Sequence, residues 1–460
     1  MSQTLDLLIR GGEMVTPAGI LPADVGIAEG RIAAIAPQLA EPAREVIDAR
    51  GLHVFPGIVD AHVHFNEPGR ADWEGLASGS AALAAAGGTC FFDMPLNSLP
   101  PVLDAASFEI KRAAAEHSSR LDFALWGGLT LGNLDHLGEL AAAGAVGFKA
   151  FLCASGVPEF PAVTDAATLR EGMKRAAALG LPVAVHAEDD ALTRRLTEVA
   201  RTRGETSARS WLATRPIEAE LAAIRLAAEL AGETGCALHV VHVSSPEGLA
   251  AIAGARGLGV DVTAETCPHY LLLDEEEVLR QGAPAKCAPP LRDEGRRREL
   301  WQALEAGAVD TIGSDHSPAP PAMKTASDFF EVWGGISGCQ HGFPLLISES
   351  LERAPAAEAL LRLASLLAAS PARRFRLDGR KGRLAVGHDA DLSLLDLGDE
   401  HVLANAELLY RHCQGPYEGR RCRVRVRRTL ARGRTVFARG STADPTATHA
   451  PWGRFLRPES

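Results

Sequence analysis

At 460 residues the chain is too long for one small core and suits a large α/β domain with a smaller partner. Its 46% apolar and 23% charged content is that of a globular protein, and a net charge of −11 argues against nucleic acid or an anionic membrane as partner. Eight scattered cysteines with no C-x-x-C pair speak against a disulfide framework, and neither a basic-then-apolar leader at Met1-Ser2-Gln3-Thr4-Leu5-Asp6 nor a membrane-length apolar run is present, so a cytoplasmic protein is expected.

In chain order, the first fifty residues read as short strands broken by glycine: Leu5–Arg10, Ala23–Ala28 and Arg31–Ile35. The pattern then changes. Eight apolar runs, Val54–Val59, Thr89–Met94, Asp122–Gly127, Ala145–Phe151, Pro182–His186, Ala237–Val243, Asp261–Thr266 and Val309–Gly313, alternate with alanine-rich segments of helical period such as Ala105–Glu116, Ala166–Leu179 and Ile217–Ala231. That alternation predicts a (β/α)₈ TIM barrel over 54–377. After residue 378 the strand-like style returns, at Asp391–Leu397, Arg423–Val426 and Arg434–Ala438. Segments 1–53 and 378–445 are therefore expected to form one small β-sandwich domain, with 446–460 a disordered tail. The arginines of Arg420–Arg428 read as a solvated strand edge rather than a binding patch.

In such a barrel the carboxyl ends of the strands face the site. Strand one ends at His62-Val63-His64, whose imidazoles, two residues apart, point to one side. Strand four carries Lys149, strand five ends at His186, strand six at His242, and strand eight runs into Ser314-Asp315-His316-Ser317-Pro318. Imidazole and carboxylate suit zinc and similar cations. Lys149 stands in an apolar run where an ammonium is costly to bury; burial frees the neutral amine, which can add carbon dioxide to form an anionic carbamate. The competing reading pairs it with a nearby carboxylate. His239 and His242 are an odd number apart and are expected on opposite sides of their strand, with His242 facing the site and His239 structural. Asp315 rather than His316 is taken as the functional residue, since a carboxylate there can bind metal and accept a proton.

These residues together resemble the cyclic amidohydrolases: dihydroorotase, hydantoinase (dihydropyrimidinase) and allantoinase. By motif, the resemblance implies that His62, His64, Lys149, His186, His242 and Asp315 hold two divalent cations, zinc first with manganese, cobalt or iron as alternatives, and that Lys149 is carbamylated. It also implies a homo-oligomer, tetramer or dimer. Within the family the chain looks most like the allantoinases. The stretches that carry this are Asn66-Glu67-Pro68-Gly69-Arg70, Met94-Pro95-Leu96-Asn97, Cys267-Pro268-His269-Tyr270, Ala285-Lys286-Cys287-Ala288-Pro289-Pro290 and Trp333-Gly334-Gly335-Ile336. Asn66 stands where dihydroorotases resemble one another in carrying an arginine for the substrate carboxylate, and an amide cannot replace that fork. The hydantoinase tyrosine shortly after the lysine has no counterpart in Phe151-Leu152-Cys153-Ala154-Ser155-Gly156. Allantoin, with its ureido group, needs polar contacts that Asn97 and Ser317 can supply, although either can equally stabilise a turn. A hydantoinase acting on another cyclic amide, or a non-catalytic assembly protein on the same barrel, are the competing functions.

Overall fold

The computed structural model describes residues 4–440 and 451–459. Eight parallel strands form the barrel: Ile58–Val63, Gly88–Asp93, Asp122–Leu125, Phe148–Phe151, Val183–His186, Leu238–Val240, Val262–Thr266 and Thr311–Ile312. The first three pair with one another, and the short strand Gly127–Gly128 carries the third onto the fourth. The remaining strands follow in order, and a parallel bridge between Val63 and His316 closes the ring.

Alternation along the strands separates two apolar layers. Val59 and Ala61, Cys90 and Phe92, and Ala124 and Trp126 share an interior cluster with Phe375 and Leu377. Their alternates Ile58, Phe91, Phe123 and Leu125 pack outward with the helices. Helix starts follow local chemistry: Asp104, Asp165, Asp189, Ser207, Ser245 and Asp293 each accept a hydrogen bond from a first-turn amide.

The terminal segments meet in one eight-stranded sheet. Its strand order is Arg434–Ala438, Arg425–Ala431, Leu392–Asp396, His53–Pro56, Leu5–Thr16, Gly19–Ala28 and Arg31–Ala36, with Ala43–Asp48 also on Leu5–Thr16. Hydrogen bonding makes this one continuous sheet rather than two opposed ones. It encloses its own core, in which Leu7, Ile9, Val25 and Ile27 from one half meet Val54, Leu392, Leu394 and Leu430 from the other.

Two expectations need correction. The run expected at Val54–Val59 as one barrel strand is two strands: His53–Pro56 belongs to the terminal sheet, and the barrel begins at Ile58. Gly57 stands at the break, its N–H donating to the Asp391 carbonyl while that of Ile58 donates to Gly87, and a Cβ there would lie 2.2 Å from Thr89 Oγ1, a contact only glycine permits. The expected tail 446–460 is ordered from residue 451, while 446–450 lie outside the described residues. Phe123 N–H donates to the Arg454 carbonyl, Leu456 N–H donates back to the Phe123 carbonyl, and Phe455 packs on Phe108 and Phe123. Three large apolar residues, Trp452, Phe455 and Leu456, within ten residues of terminus are the signal for this docking.

The Arg420–Arg428 run sits against carboxylates: Arg425 and Arg427 meet Asp399, Arg427 also meets Asp396, and Arg423 meets Glu352. Among the described residues, no helix is long and apolar enough to cross a membrane.

Candidate metal centre

Strand direction brings the singled-out residues to one mouth. His62 lies within the first strand and His64 one residue past it, Lys149 is inside the fourth, and His186 is the last residue of the fifth. His242 and Asp315 follow the ends of the sixth and eighth strands in left-handed conformations, φ 41° and 43°. Asn66 and Asn97, at the ends of the first and second strands, have φ 65° and 64°. Four of the seven non-glycine residues with positive φ among those described thus surround one site, where backbone strain re-aims side chains. All six residues His62, His64, Lys149, His186, His242 and Asp315 line one cavity of about 470 Å³.

The donor atoms converge in two groups. His62 Nε2 and His64 Nε2 each lie 3.3 Å from Asp315 Oδ1. Across the cavity, His186 Nδ1 and His242 Nε2 face each other at 3.1 Å. Lys149 Nζ is fully buried with no hydrogen-bond partner. Burial draws its pKa down to about 8, against the pull of the Asp315 and Glu265 carboxylates. Burial likewise lowers His64 and His186, and it lowers His242 further with help from the Lys149 charge, so their neutral, lone-pair forms are favoured. At Asp315 burial pushes upward, but His62 and His64 outweigh it and hold the carboxyl well below its ordinary range. Ring nitrogens and a carboxylate facing one another around an orphaned buried amine are a donor set that fits divalent cations.

Behind these groups stand residues that sequence reasoning missed. Glu265, on the seventh strand, accepts the His62 Nδ1–H at 2.7 Å, which leaves Nε2 free toward Asp315. Its pKa stays at about 2 because His62 and His239 outweigh burial. Glu188 accepts from His186 Nε2 at 2.8 Å and pairs with Arg215 at 2.5 Å, so Nδ1 is the nitrogen turned inward. Asp60 accepts from the Ser314 amide at 2.9 Å and ties the last strand to the first. His269 is buried with both ring nitrogens unpartnered, and burial lowers it to about 4. A carboxylate inside an apolar strand, as in Val262-Thr263-Ala264-Glu265-Thr266, was the available signal for Glu265.

His239 corrects an expectation. It is not on the outer side of its strand: its Nε2 lies 3.4 Å from Glu265 Oε2 and its ring stacks on Trp126, both in the barrel interior beneath the site. Strand alternation stops at Val240, so parity no longer relates the two histidines, and the turn at His242 brings the second one inward too. His316 is turned away from the cavity, toward Glu74 and Tyr410.

Two other clusters have ligand-like composition, and each already contains a cation. Cys153, His186 and Glu188 include the Arg215 guanidinium, and Asp122, Asp389 and Asp391 surround Lys381 at 2.6, 3.0 and 2.6 Å.

Asn97 lines the cavity with its Oδ1 unpartnered and its Nδ2 3.5 Å from His64 Nδ1. Ser317 also lines it, its backbone N–H donating to the Ile336 carbonyl. Asn66 is buried, with its amide against the Pro318 carbonyl. None of Tyr270, Tyr410 and Tyr417 lines the cavity; Tyr270 donates to the Pro289 carbonyl and Tyr410 accepts from the Gln340 amide.

The amidohydrolase family model matches residues 53–436. The chain is 52% identical over 456 residues to an allantoinase of Solibacter usitatus, covering 99% of this chain and 97% of that one. It is 53% identical over 459 residues to an allantoinase of Rubrobacter xylanophilus, covering 99% and 98%. Among solved structures, an L-hydantoinase (dihydropyrimidinase) from Arthrobacter aurescens superposes with TM-score 0.93 at 32% identity, covering 99% of this chain and 100% of that one. With a closed eight-stranded barrel, a histidine-rich mouth and relatives that match from end to end, this chain belongs to the amidohydrolase family.

Proposed function

We propose that the chain hydrolyses the hydantoin-ring amide of allantoin to give allantoate, a step of purine breakdown. The observation that carries the reading is the pairing of two imidazole groups and Asp315 around the orphaned Lys149 Nζ, in a cavity lined by no tyrosine. The full-length likeness to two allantoinases at 52% and 53% identity supports it.

In this reading His62, His64, His186, His242, Asp315 and Lys149, the last as its carbamate, would hold two divalent cations. Bound divalent cations, zinc foremost, would supply the chemistry of an activated water and a polarised scissile carbonyl. The chain's own residues do the rest. Glu265 and Glu188 fix which imidazole nitrogen faces inward. Asp315 takes a proton from the attacking water and delivers it to the ring nitrogen as the carbon–nitrogen bond breaks. Asn97 Oδ1, unpartnered in the cavity, accepts from a substrate N–H, and Ser317 offers a hydroxyl beside it. Resemblance supports a homo-oligomer, tetramer or dimer, the eight unpaired cysteines support a cytoplasmic location, and the shared terminal sheet supports treating it as a domain apart from the barrel.

The experiment is a ring-opening assay of the metal- and bicarbonate-supplemented enzyme on allantoin, hydantoin, dihydrouracil and dihydroorotate. Preferred turnover of allantoin is expected. Faster opening of hydantoin or dihydrouracil would replace this reading with that of a hydantoinase, and absence of both bound metal and turnover would replace it with an assembly role.

A further inference from the structure

The chain has six lysines, and two of them, Lys286 and Lys324, are used in an unusual way. Neither makes a salt bridge among the described residues. Lys324 Nζ donates to the carbonyls of Ala283 (3.1 Å), Trp333 (3.0 Å) and Gly335 (2.6 Å), which uses all three ammonium protons. Lys286 Nζ donates to the carbonyls of Phe329 and Val332, both at 2.6 Å, and lies 4.7 Å from the centre of the Trp211 ring.

Four of these five carbonyls belong to the segment that follows the eighth strand and crosses the cavity, contributing Met323, Val332 and Trp333 to its wall. The segment holds only two short 3₁₀ turns, Pro321–Lys324 and Phe329–Glu331, so its carbonyls have no ladder of their own. Trp333 is pinned at every polar group. Its N–H donates to the Met323 carbonyl at 2.9 Å, its carbonyl accepts from Lys324, and its indole Nε1–H donates to the Ser317 carbonyl at 3.3 Å. Its ring meets Trp73, from the loop after the first strand, edge-on at 4.9 Å.

We propose that Lys286 and Lys324 are positioning residues for the reaction: they hold this segment as a preset wall, so that Trp333 and Ser317 keep fixed places around the substrate and decide which ring substituents enter. The proposal rests on the cyclic-amide reading above for its substrate but not for its structural content. A buried ammonium without a carboxylate is costly to keep. Here a buried ammonium, Lys286, and a half-buried one, Lys324, stiffen a long connection that lies over the cavity, where a loose loop would lose substrate affinity through the cost of ordering it.

The test uses the full-length, metal-loaded enzyme with Lys324→Met and Lys286→Met, which keep most of the stem and remove the donors. Hydrogen exchange of the 329–335 amides, bound metal, and kcat and KM for allantoin and for a hydantoin with a bulky aryl 5-substituent are read. Each variant is expected to exchange these amides about tenfold faster and to raise KM for allantoin about tenfold with kcat little changed. Metal content should stay that of the parent, and the bulky hydantoin should gain relative to allantoin. Unchanged exchange, or a fall in kcat at constant KM, overturns the proposal. If the parent does not open allantoin, the exchange result still decides the clamp, and only the substrate reading fails. If a variant does not fold, the parent decides: a Trp333 amide that exchanges as fast as an exposed one overturns the clamp, and one protected like the barrel strands upholds it.

Discussion

Removing the charge of Glu265 should loosen a metal it does not touch. The carboxylate is fully buried, accepts from His62 Nδ1 at 2.7 Å and stands 3.4 Å from His239 Nε2. It therefore fixes the His62 tautomer and raises the basicity of the nitrogen that faces Asp315. Glu265→Gln keeps the shape, which the site demands, since the backbone at Gly313 leaves only 2.8 Å between an added Cβ and Glu265 Oε2. Loss of such a supporting partner lowers metal affinity about 10- to 100-fold, or about 1.4 to 2.7 kcal/mol. Glu265→Ala should do more, because it leaves two buried imidazole N–H groups unpaired, each costing about 1–3 kcal/mol of stability. Zinc titration of the metal-free variants against a chromophoric chelator reads the affinity, and urea unfolding of the same samples reads the stability. A Gln variant with parental zinc affinity would refute the reasoning, as would loss of activity at full metal occupancy.

Lys149→Ala should lose most activity and bound metal and recover both when short-chain carboxylic acids are added; full activity without any additive would contradict the bridging role. Asp315→Asn should lower kcat by about 10²- to 10⁴-fold in steady-state assays while the melting temperature changes little. Lys381→Met should destabilise the protein by about 3–5 kcal/mol in urea unfolding, because it leaves Asp391 a buried carboxylate without its cation and takes one of two cations from Asp122, which keeps Arg432, and from Asp389, which keeps Arg380. An unchanged unfolding midpoint would refute the role of Lys381 as the cation of this buried cluster.

Much of this protein was legible before any coordinates. Strand alternation and the order of strand and loop are local properties, so a run such as Ile58-Val59-Asp60-Ala61-His62-Val63-His64 declares by itself both a buried strand and two imidazoles on one side. The same locality placed Lys149 and His186 at the mouth and took Asp315 in preference to His316. Locality also set the limits. It could not divide Val54–Val59 between two sheets, because the division depends on which distant strands pair with each half, Leu392–Leu395 with the first and Gly88–Asp93 with the second. Nor could it place His239, whose parity with His242 ends where the strand ends. The docking of residues 451–459 depends on a surface built by distant helices and strands.

What only the tertiary structure decided are the partners of the functional groups. Glu265 reaches His62 across 203 residues, and Lys286 reaches Phe329 and Val332 across 43 and 46. Sequence determines which side chains are charged, apolar or able to bind metal. Which of them meet is decided by the closing of the barrel, which brings together groups that no spacing along the chain relates.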